Sequence, residues 1–157
     1  GNWSVIDGDD PEYQVENNAG TGYAFTDHRY VNVSVEAKIN LDKAYVSDAG
    51  IGVMARYTDN GHVYRFFYSK ESWKLLKRVG GKTSILAESS NATLETGNEY
   101  HVKLVVDGFS LKGYVNGVLQ CSGRDTDLVS GNSGLYSYKS KGSFDDVAFS
   151  VIDNPIP

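Results

Sequence analysis

The sequence predicts an all-β chain folded as a two-sheet antiparallel β-sandwich. Three observations carry this. Apolar residues alternate with polar ones in many short runs, and no segment shows a helical period. Turn residues recur about every 8–12 positions, the spacing of sandwiches and barrels. The composition holds 17 Gly and 11 Tyr but only 3 Pro, which suits many turns and many amphipathic strands. No internal repeat is evident, so a propeller or solenoid is not expected.

In chain order, short strands are expected at 3–6, 13–16 and 23–25. Residues 31–39 form the clearest strand. Val31, Val33, Val35, Ala37 and Ile39 face one way, and Asn32, Ser34, Glu36 and Lys38 the other. Strands 51–57 and 62–69 flank Thr58-Asp59-Asn60-Gly61, read as a four-residue hairpin loop. Strand 73–79 turns at Gly80-Gly81 into 83–87. Strands 100–106 and 111–115 flank Asp107-Gly108-Phe109-Ser110, and 111–115 meets 118–121 across Asn116-Gly117, the strongest short hairpin signal. Strands 134–138 and 143–151 close the chain. One helical turn is conceivable at Leu94-Glu95-Thr96-Gly97.

The chain of 157 residues fits one domain, residues 1–152, with 153–157 as the start of an inter-domain linker, because two of the three prolines lie there. It opens on Gly1 without Met, which reads as an excised module with its targeting segment cut away. No run of about 18 apolar residues exists, so no membrane span is expected. Net charge is −5 with no basic block, which argues against nucleic acid, since a binder must neutralise phosphates. The single cysteine, Cys121, precludes an internal disulfide and reads as a small half-buried residue.

Pairing Tyr57 with His62 in the 51–69 hairpin sorts its residues into two faces. Ile51, Val53, Ala55, Tyr64, Phe66 and Tyr68 form a core face, with both tyrosines at its margin. Gly52, Met54, Arg56, Val63, Arg65 and Phe67 lie on the other face. Arginines and aromatics beside a glycine gap have the character of a ligand surface; a solvated face with snorkelling arginines is the alternative. Sugars are held by aromatic rings on their C–H faces and by planar guanidinium, amide or carboxylate groups on hydroxyl pairs. Candidate contacts are therefore Arg56 and Arg65 as clamps, and Asp59 and Asp27 as acceptors. Tyr30, Tyr64, Trp73 and Tyr136 are candidate ring faces. Trp73 serves equally as a core-edge residue. Asp27-His28-Arg29-Tyr30 is read as a polar loop of the kind that carries recognition.

Asp7 and Asp9 in the N-terminal loop, with Asp145 and Asp146 in the last strand, offer hard oxygens for a structural calcium ion if the terminal strands are neighbours. The competing explanation is that Asp is common in turns. His28, His62 and His101 show no zinc spacing. No nucleophile elbow, phosphate loop or triad spacing occurs. The three Asn-x-Ser/Thr sequons, at Asn2, Asn32 and Asn91, are no more than chance gives in so Asn-, Ser- and Thr-rich a chain.

Several segments resemble one family. Gly50-Ile51-Gly52-Val53-Met54-Ala55-Arg56-Tyr57-Thr58-Asp59-Asn60 is similar to a "Gly-hydrophobic-x-x-Arg-x-x-Asp-Asn" hairpin, followed by Val63-Tyr64-Arg65-Phe66. Glu99-Tyr100-His101-Val102-Lys103-Leu104-Val105-Val106, Tyr114-Val115-Asn116-Gly117 and Ser143-Phe144-Asp145-Asp146-Val147 match further strands. Together they resemble the concanavalin-like jelly-roll modules of bacterial glycosidases and polysaccharide lyases, over nearly all of residues 3–151. The likeness is strongest to family 66 carbohydrate-binding modules, whose founding type binds fructan chain ends. Laminin-G-like and 3-keto-disaccharide hydrolase-type domains share the motifs.

The resemblance implies a non-catalytic carbohydrate-binding module of a larger secreted bacterial protein. Such a module would be monomeric and would target a parent glycoside hydrolase or polysaccharide lyase to fructan or plant cell-wall and pectic glycan. Two alternatives stay open: a small catalytic sandwich-fold lyase or glycosidase, with His62 near Arg56 as its base and neutralising group, and a laminin-G-like interaction domain. On the module reading, Arg56→Ala is expected to abolish glycan binding and leave the fold intact.

Overall fold

The computed structural model describes residues 2–6, 12–16 and 21–152, and the side chains among them except those of 2–6, 12, 21–23, 25 and 27. The described residues form thirteen strands and no helix. In chain order these are β1 (Asn2–Ile6), β2 (Glu12–Glu16), β3 (Thr21–Tyr30), β4 (Val33–Ala44), β5 (Gly50–Asp59), β6 (His62–Ser69) and β7 (Ser72–Val79). They continue as β8 (Lys82–Ser89), β9 (Glu99–Asp107), β10 (Ser110–Val115), β11 (Val118–Arg124), β12 (Gly131–Tyr138) and β13 (Ser140–Val151). A seven-stranded sheet runs β1-β2-β13-β4-β9-β10-β11, and a six-stranded sheet runs β3-β12-β5-β6-β7-β8. All the pairings are antiparallel. The fold class is the expected two-sheet sandwich.

Alternation positions the core. Val33, Val35, Ala37 and Ile39 of β4 are fully buried against Ile51, Val53, Ala55, Tyr64 and Phe66 of the opposite sheet. Phe66 stacks on Trp73 with centroids 5.3 Å apart, and its ring fills the place where a side chain at position 113 would stand. A Cβ added to Gly113 would meet that ring at 2.4 Å, so only glycine lets the two sheets close there. Cys121 is buried in the same core, and burial pushes its thiol up to about 11, which keeps it an unreactive packing residue.

Three expectations need correcting. Val31 is half exposed in a bend before β4 and does not share the buried face of Val33. Asp27-His28-Arg29-Tyr30 is not a loop: β3 continues through it, pairing Arg29 with Asn132 and Tyr30 with Gly131. The β5–β6 loop is the two-residue turn Asn60-Gly61, since Asp59 pairs with His62. The register expected for the rest of the hairpin holds from Gly50↔Ser69 to Ala55↔Tyr64, then shifts at a bulge where Arg56 adopts φ 51°. Tyr57 consequently pairs with Asn132 of β12 instead of His62.

The Asn116-Gly117 turn has φ 49° and 80°, positive at both central positions as the hairpin signal requires. The β6–β7 turn, Lys70-Glu71, has φ 52° and 63° with no glycine or asparagine to announce it.

Candidate functional site

The outer face of the six-stranded sheet carries a groove. In the sheet register, Phe67 of β6, Gly52 of β5 and Tyr136 of β12 lie in one row across three strands. Gly52 has no side chain, so the rings on either side meet over it, edge to face, with centroids 5.5 Å apart. A Cβ at Gly52 would come within 2.6 Å of that of Phe67, so the glycine gap is what allows the aromatic pair. In the adjoining row Arg65 sits beside Met54. Its guanidinium carbon lies 3.9 Å from the Tyr136 ring centroid and 5.7 Å from that of Phe67. Met54, Val63, Phe67, Leu76 and Tyr136 make a small apolar cluster, distinct from the main core, that forms the floor.

Strand β7 supplies the other wall. Its pairing sets Lys74 opposite Phe67, Leu76 opposite Arg65 and Arg78 opposite Val63. The resulting groove has a volume of about 550 Å³, within the usual range for small-ligand clefts, and Asp48 and Lys70 stand at one end of it, Asn60 and Thr83 also on its rim. The Lys74 ammonium donates to the Ser69 carbonyl and to Ser72 Oγ. Burial pushes its pKa down, Glu88 opposes this, and neighbouring Lys70 adds to it.

Of the candidate contacts, Arg65 and Tyr136 are brought together in this groove. Arg56, Tyr64 and Trp73 are corrected, because all three face inward. Arg56 is 1% exposed, and the positive φ of the bulge turns it to the end of the sandwich. There Nε donates to the Val31 carbonyl at 2.9 Å, Nη1 to the Leu128 carbonyl at 2.8 Å and Nη2 to Asn32 Oδ1 at 3.3 Å. Burial lowers its pKa, with Tyr64 and Asp107 opposing. Asn32 Oδ1 also accepts from Gly108 N, so Arg56 fastens three connections together.

Tyr64 belongs to the same clamp. Its hydroxyl donates to Asp125 Oδ2 at 2.5 Å and accepts from Leu128 N at 3.1 Å. Burial, with the Asp125 hydrogen bond, pushes the phenol up to about 12. Lys77 closes the network by bridging Asp125 and Asp127 at 2.7 and 2.6 Å. Trp73 is fully buried between Phe66 and Tyr68, so it is a core residue and offers no ring face.

The remaining candidates lie elsewhere. Tyr30 is partly buried against the main core. Asp59 is exposed, but its Oδ1 accepts from Gly61 N and contacts His62 Nδ1, both at 2.8 Å, so it shapes the turn. His62 Nε2 accepts from Gly80 N, so both its ring nitrogens serve the hairpins. His62 and Arg56 therefore do not form one site. The Asp27 side chain, and Asp7 and Asp9 altogether, lie outside the described residues. Strand β13 does run beside β2, as expected of the terminal strands. Asp146, however, pairs with Lys38 at 2.8 Å, and Asp145 accepts from the Asp146 amide. Among the described residues no group of three or more His, Cys, Asp or Glu side chains converges as metal ligands would.

Lys74, Leu76 and Arg78 were missed. Their alternation with Trp73, Leu75 and Lys77 is visible in the sequence, and once β6 and β7 are paired across a two-residue turn the parity follows. The sequence marks a turn before Trp73 but not its length, and that length decides which β7 residues share the face of Arg65.

No protein-family model matches the sequence, and no curated protein matches it. Solved structures are similar in fold. The family 66 carbohydrate-binding module from Bacillus subtilis is 18% identical with a TM-score of 0.77, covering 94% of each chain. A Bacillus subtilis protein of unknown function with a galectin-like fold is 11% identical, TM-score 0.71, over 94% of this chain and 85% of that one. A glycosyl hydrolase assignment attaches to a third, from Parabacteroides distasonis, 11% identical with a TM-score of 0.69, covering 96% of this chain and 83% of that one. At these identities the likeness is one of fold. The chain is a jelly-roll β-sandwich, similar in fold to a family 66 module.

Proposed function

We propose that the chain is a non-catalytic carbohydrate-binding module that holds a parent secreted glycoside hydrolase or polysaccharide lyase on its polysaccharide. The observation that carries this reading is the groove over β5, β6, β7 and β12, where Arg65 lies on the Phe67–Tyr136 pair. It sets a planar donor for oxygen pairs over a floor of Phe67 and Tyr136, both less than a tenth exposed, with the half-buried Tyr138 ring also on the lining for a sugar C–H face. Fructan and cell-wall glycans, pectic ones included, are the ligand classes this suits. The fold shared with a carbohydrate-binding module supports the same reading. Tethering would act by raising the local concentration of substrate around a catalytic domain in cis.

The groove favours binding over glycoside hydrolysis. Its described lining holds a single carboxylate, Asp48, and no histidine. Glycoside hydrolysis uses two carboxylates, whereas a lyase needs a Tyr or His base beside a neutralising Arg, and Tyr136 beside Arg65 is the pair that an assay for unsaturated product tests.

Affinity electrophoresis through gels of soluble polysaccharides tests the proposal. Wild type should be retarded by at least one glycan, and Tyr136→Ala should run as in the glycan-free gel while keeping its far-UV circular dichroism. Running the series with and without chelator tests the expected calcium ion. Release of reducing ends or unsaturated uronate from any of these glycans would replace the module reading with an enzymatic one.

A further inference from the structure

The charges of the groove differ from those of the chain around it. The protein is net −5, yet the described groove lining carries Arg65, Lys70, Lys74 and Arg78 against one carboxylate, Asp48. Glu88 lies across the strand from Lys74, and its carboxylate is engaged by Ser72 Oγ at 3.0 Å. Resting on the module reading, we infer that the sugar this groove selects carries a carboxylate, as a uronic acid residue does.

Two features of the site point to an anion. The Arg78 guanidinium donates from Nη1 to Thr83 Oγ1, but its buried Nε has no hydrogen-bond partner among the described residues. That Nε is closed to solvent, so a ligand oxygen would be taken by the outer Nη groups of the same guanidinium, whose charge no carboxylate of the described groove lining pairs. Lys74, in the middle of the wall, donates to Ser oxygens; burial works against its charge, Glu88 across the strand supports it, and Lys70 opposes it. A bound carboxylate would offset the charges of Arg78 and Lys74 together. A neutral hydroxyl would satisfy the donor of Arg78 but do nothing for the cluster of like charges.

The geometry is also that of a carboxylate site more than of a diffuse anion site. Arg65 is only 8% exposed and its guanidinium carbon lies 3.9 Å from the Tyr136 ring centroid, so a planar fork held by its neighbours borders the groove, the form that matches a carboxylate. The acidic remainder of the surface would repel a densely charged polyanion held only by long-range attraction. Close contact with a charge carried on a sugar ring, beside the aromatic floor, is what survives that repulsion.

Affinity electrophoresis with matched polymers tests this. Polygalacturonate should retard the protein, and fully methyl-esterified pectin, the same backbone with its charge removed, should not. Arg78→Gln should weaken binding to polygalacturonate about tenfold, roughly the weight of one charge-assisted hydrogen bond, with an unchanged thermal midpoint. Retardation by esterified pectin, levan or β-glucan equal to that by polygalacturonate would overturn the inference while the module reading stands. Retardation by dextran sulfate as strong as by polygalacturonate would overturn it in favour of a general response to anions. Absence of retardation by every polysaccharide would remove the module reading, and the inference with it.

Discussion

Arg56 and Arg65 sit on adjacent strands of one hairpin, on a face that simple alternation makes common to both. In the structure they serve opposite ends. Arg65 lies in regular β6 and reaches the groove, where it rests on Tyr136. Arg56 lies in the bulge of β5, and one left-handed residue sends it to the end of the sandwich, where its donors go to Val31, Leu128 and Asn32. Leu128 is held from both sides, its carbonyl by Arg56 and its amide by Tyr64. One arginine therefore fastens loops and the other faces ligand space. Within a strand, the backbone conformation of a single residue decides which task an arginine performs.

Substituting the two arginines gives the largest contrast. Arg56→Ala should cost about 3 kcal/mol or more, because it strips three backbone and side-chain acceptors of a buried charged partner. Chemical denaturation measures this, and Arg56→Lys should rescue little of it, since an ammonium does not reproduce the forked geometry. The expectation from sequence, lost binding with an intact fold, is thus inverted for this residue. An Arg56→Ala protein of wild-type stability would break the comparison at its first step.

Arg65→Ala should behave in the opposite way. Its loss from the aromatic pair costs about 1 kcal/mol of stability. Glycan affinity should fall at least about tenfold, as when a charge-assisted contact is removed. Isothermal titration with whichever glycan retards the wild type separates the two effects. Equal losses of stability in the two variants, with binding kept in both, would show that neither arginine faces ligand.

The contrast also extends to pH. Tyr64 is pushed up to about 12 in the fold, by burial first and then by Asp125, so the native state favours the neutral phenol. The stability this supplies is complete below about pH 10, where the unfolded phenol titrates, and is lost as pH rises toward 12. Asp125 runs the other way. Burial raises its pKa, but hydrogen bonds from Lys77 and Tyr64 prevail and hold it below the ordinary carboxylate value. Its contribution is present above about pH 4 and is lost as the solution is acidified through the native pKa. The stability difference between wild type and Tyr64→Phe should therefore be constant near neutrality and shrink between about pH 10 and 12. A difference that stays constant up to pH 12 would remove Tyr64 from the clamp.

What the sequence made legible follows the same division. Thirteen strands, the Asn116-Gly117 turn and the hairpin register up to Ala55 all rest on local chemistry: alternation, turn residues and period two. Arg65 and Phe67 were found because regular alternation held in β6, and Tyr136 because it alternates on a late strand. Arg56, Tyr64 and Trp73 were misplaced for two reasons. A bulge with positive φ at an arginine has no local sequence signature, because the acceptors that hold its side chain, on Val31, Asn32 and Leu128, lie on two connections distant in sequence. Tyrosine and tryptophan, moreover, suit a core and a sugar platform equally well. The β7 wall was missed although a turn before Trp73 is legible, because the parity of β7 depends on that turn holding just Lys70 and Glu71, both left-handed without glycine.

The smallest expected effect tests the tip of the same hairpin. Asp59 was expected to accept from sugar hydroxyls, but its carboxylate is turned to Gly61 N and His62. That hydrogen bond with the ring, then the Gly61 amide, lowers its pKa against the effect of burial. Both partners belong to the turn, and the side chain is well exposed, 63% by area, so water replaces lost contacts cheaply. Asp59→Ala should therefore leave stability almost unchanged and glycan affinity at the wild-type value. Asn60, the next residue, lines the groove, so a disturbed turn would be transmitted to its rim. If Asp59→Ala weakens binding, Asp59→Asn distinguishes the causes. The amide oxygen still accepts from Gly61 N and keeps the turn, so rescue by asparagine assigns the effect to turn geometry. Failure of asparagine to restore affinity would return Asp59 to the ligand and extend the groove to the hairpin tip.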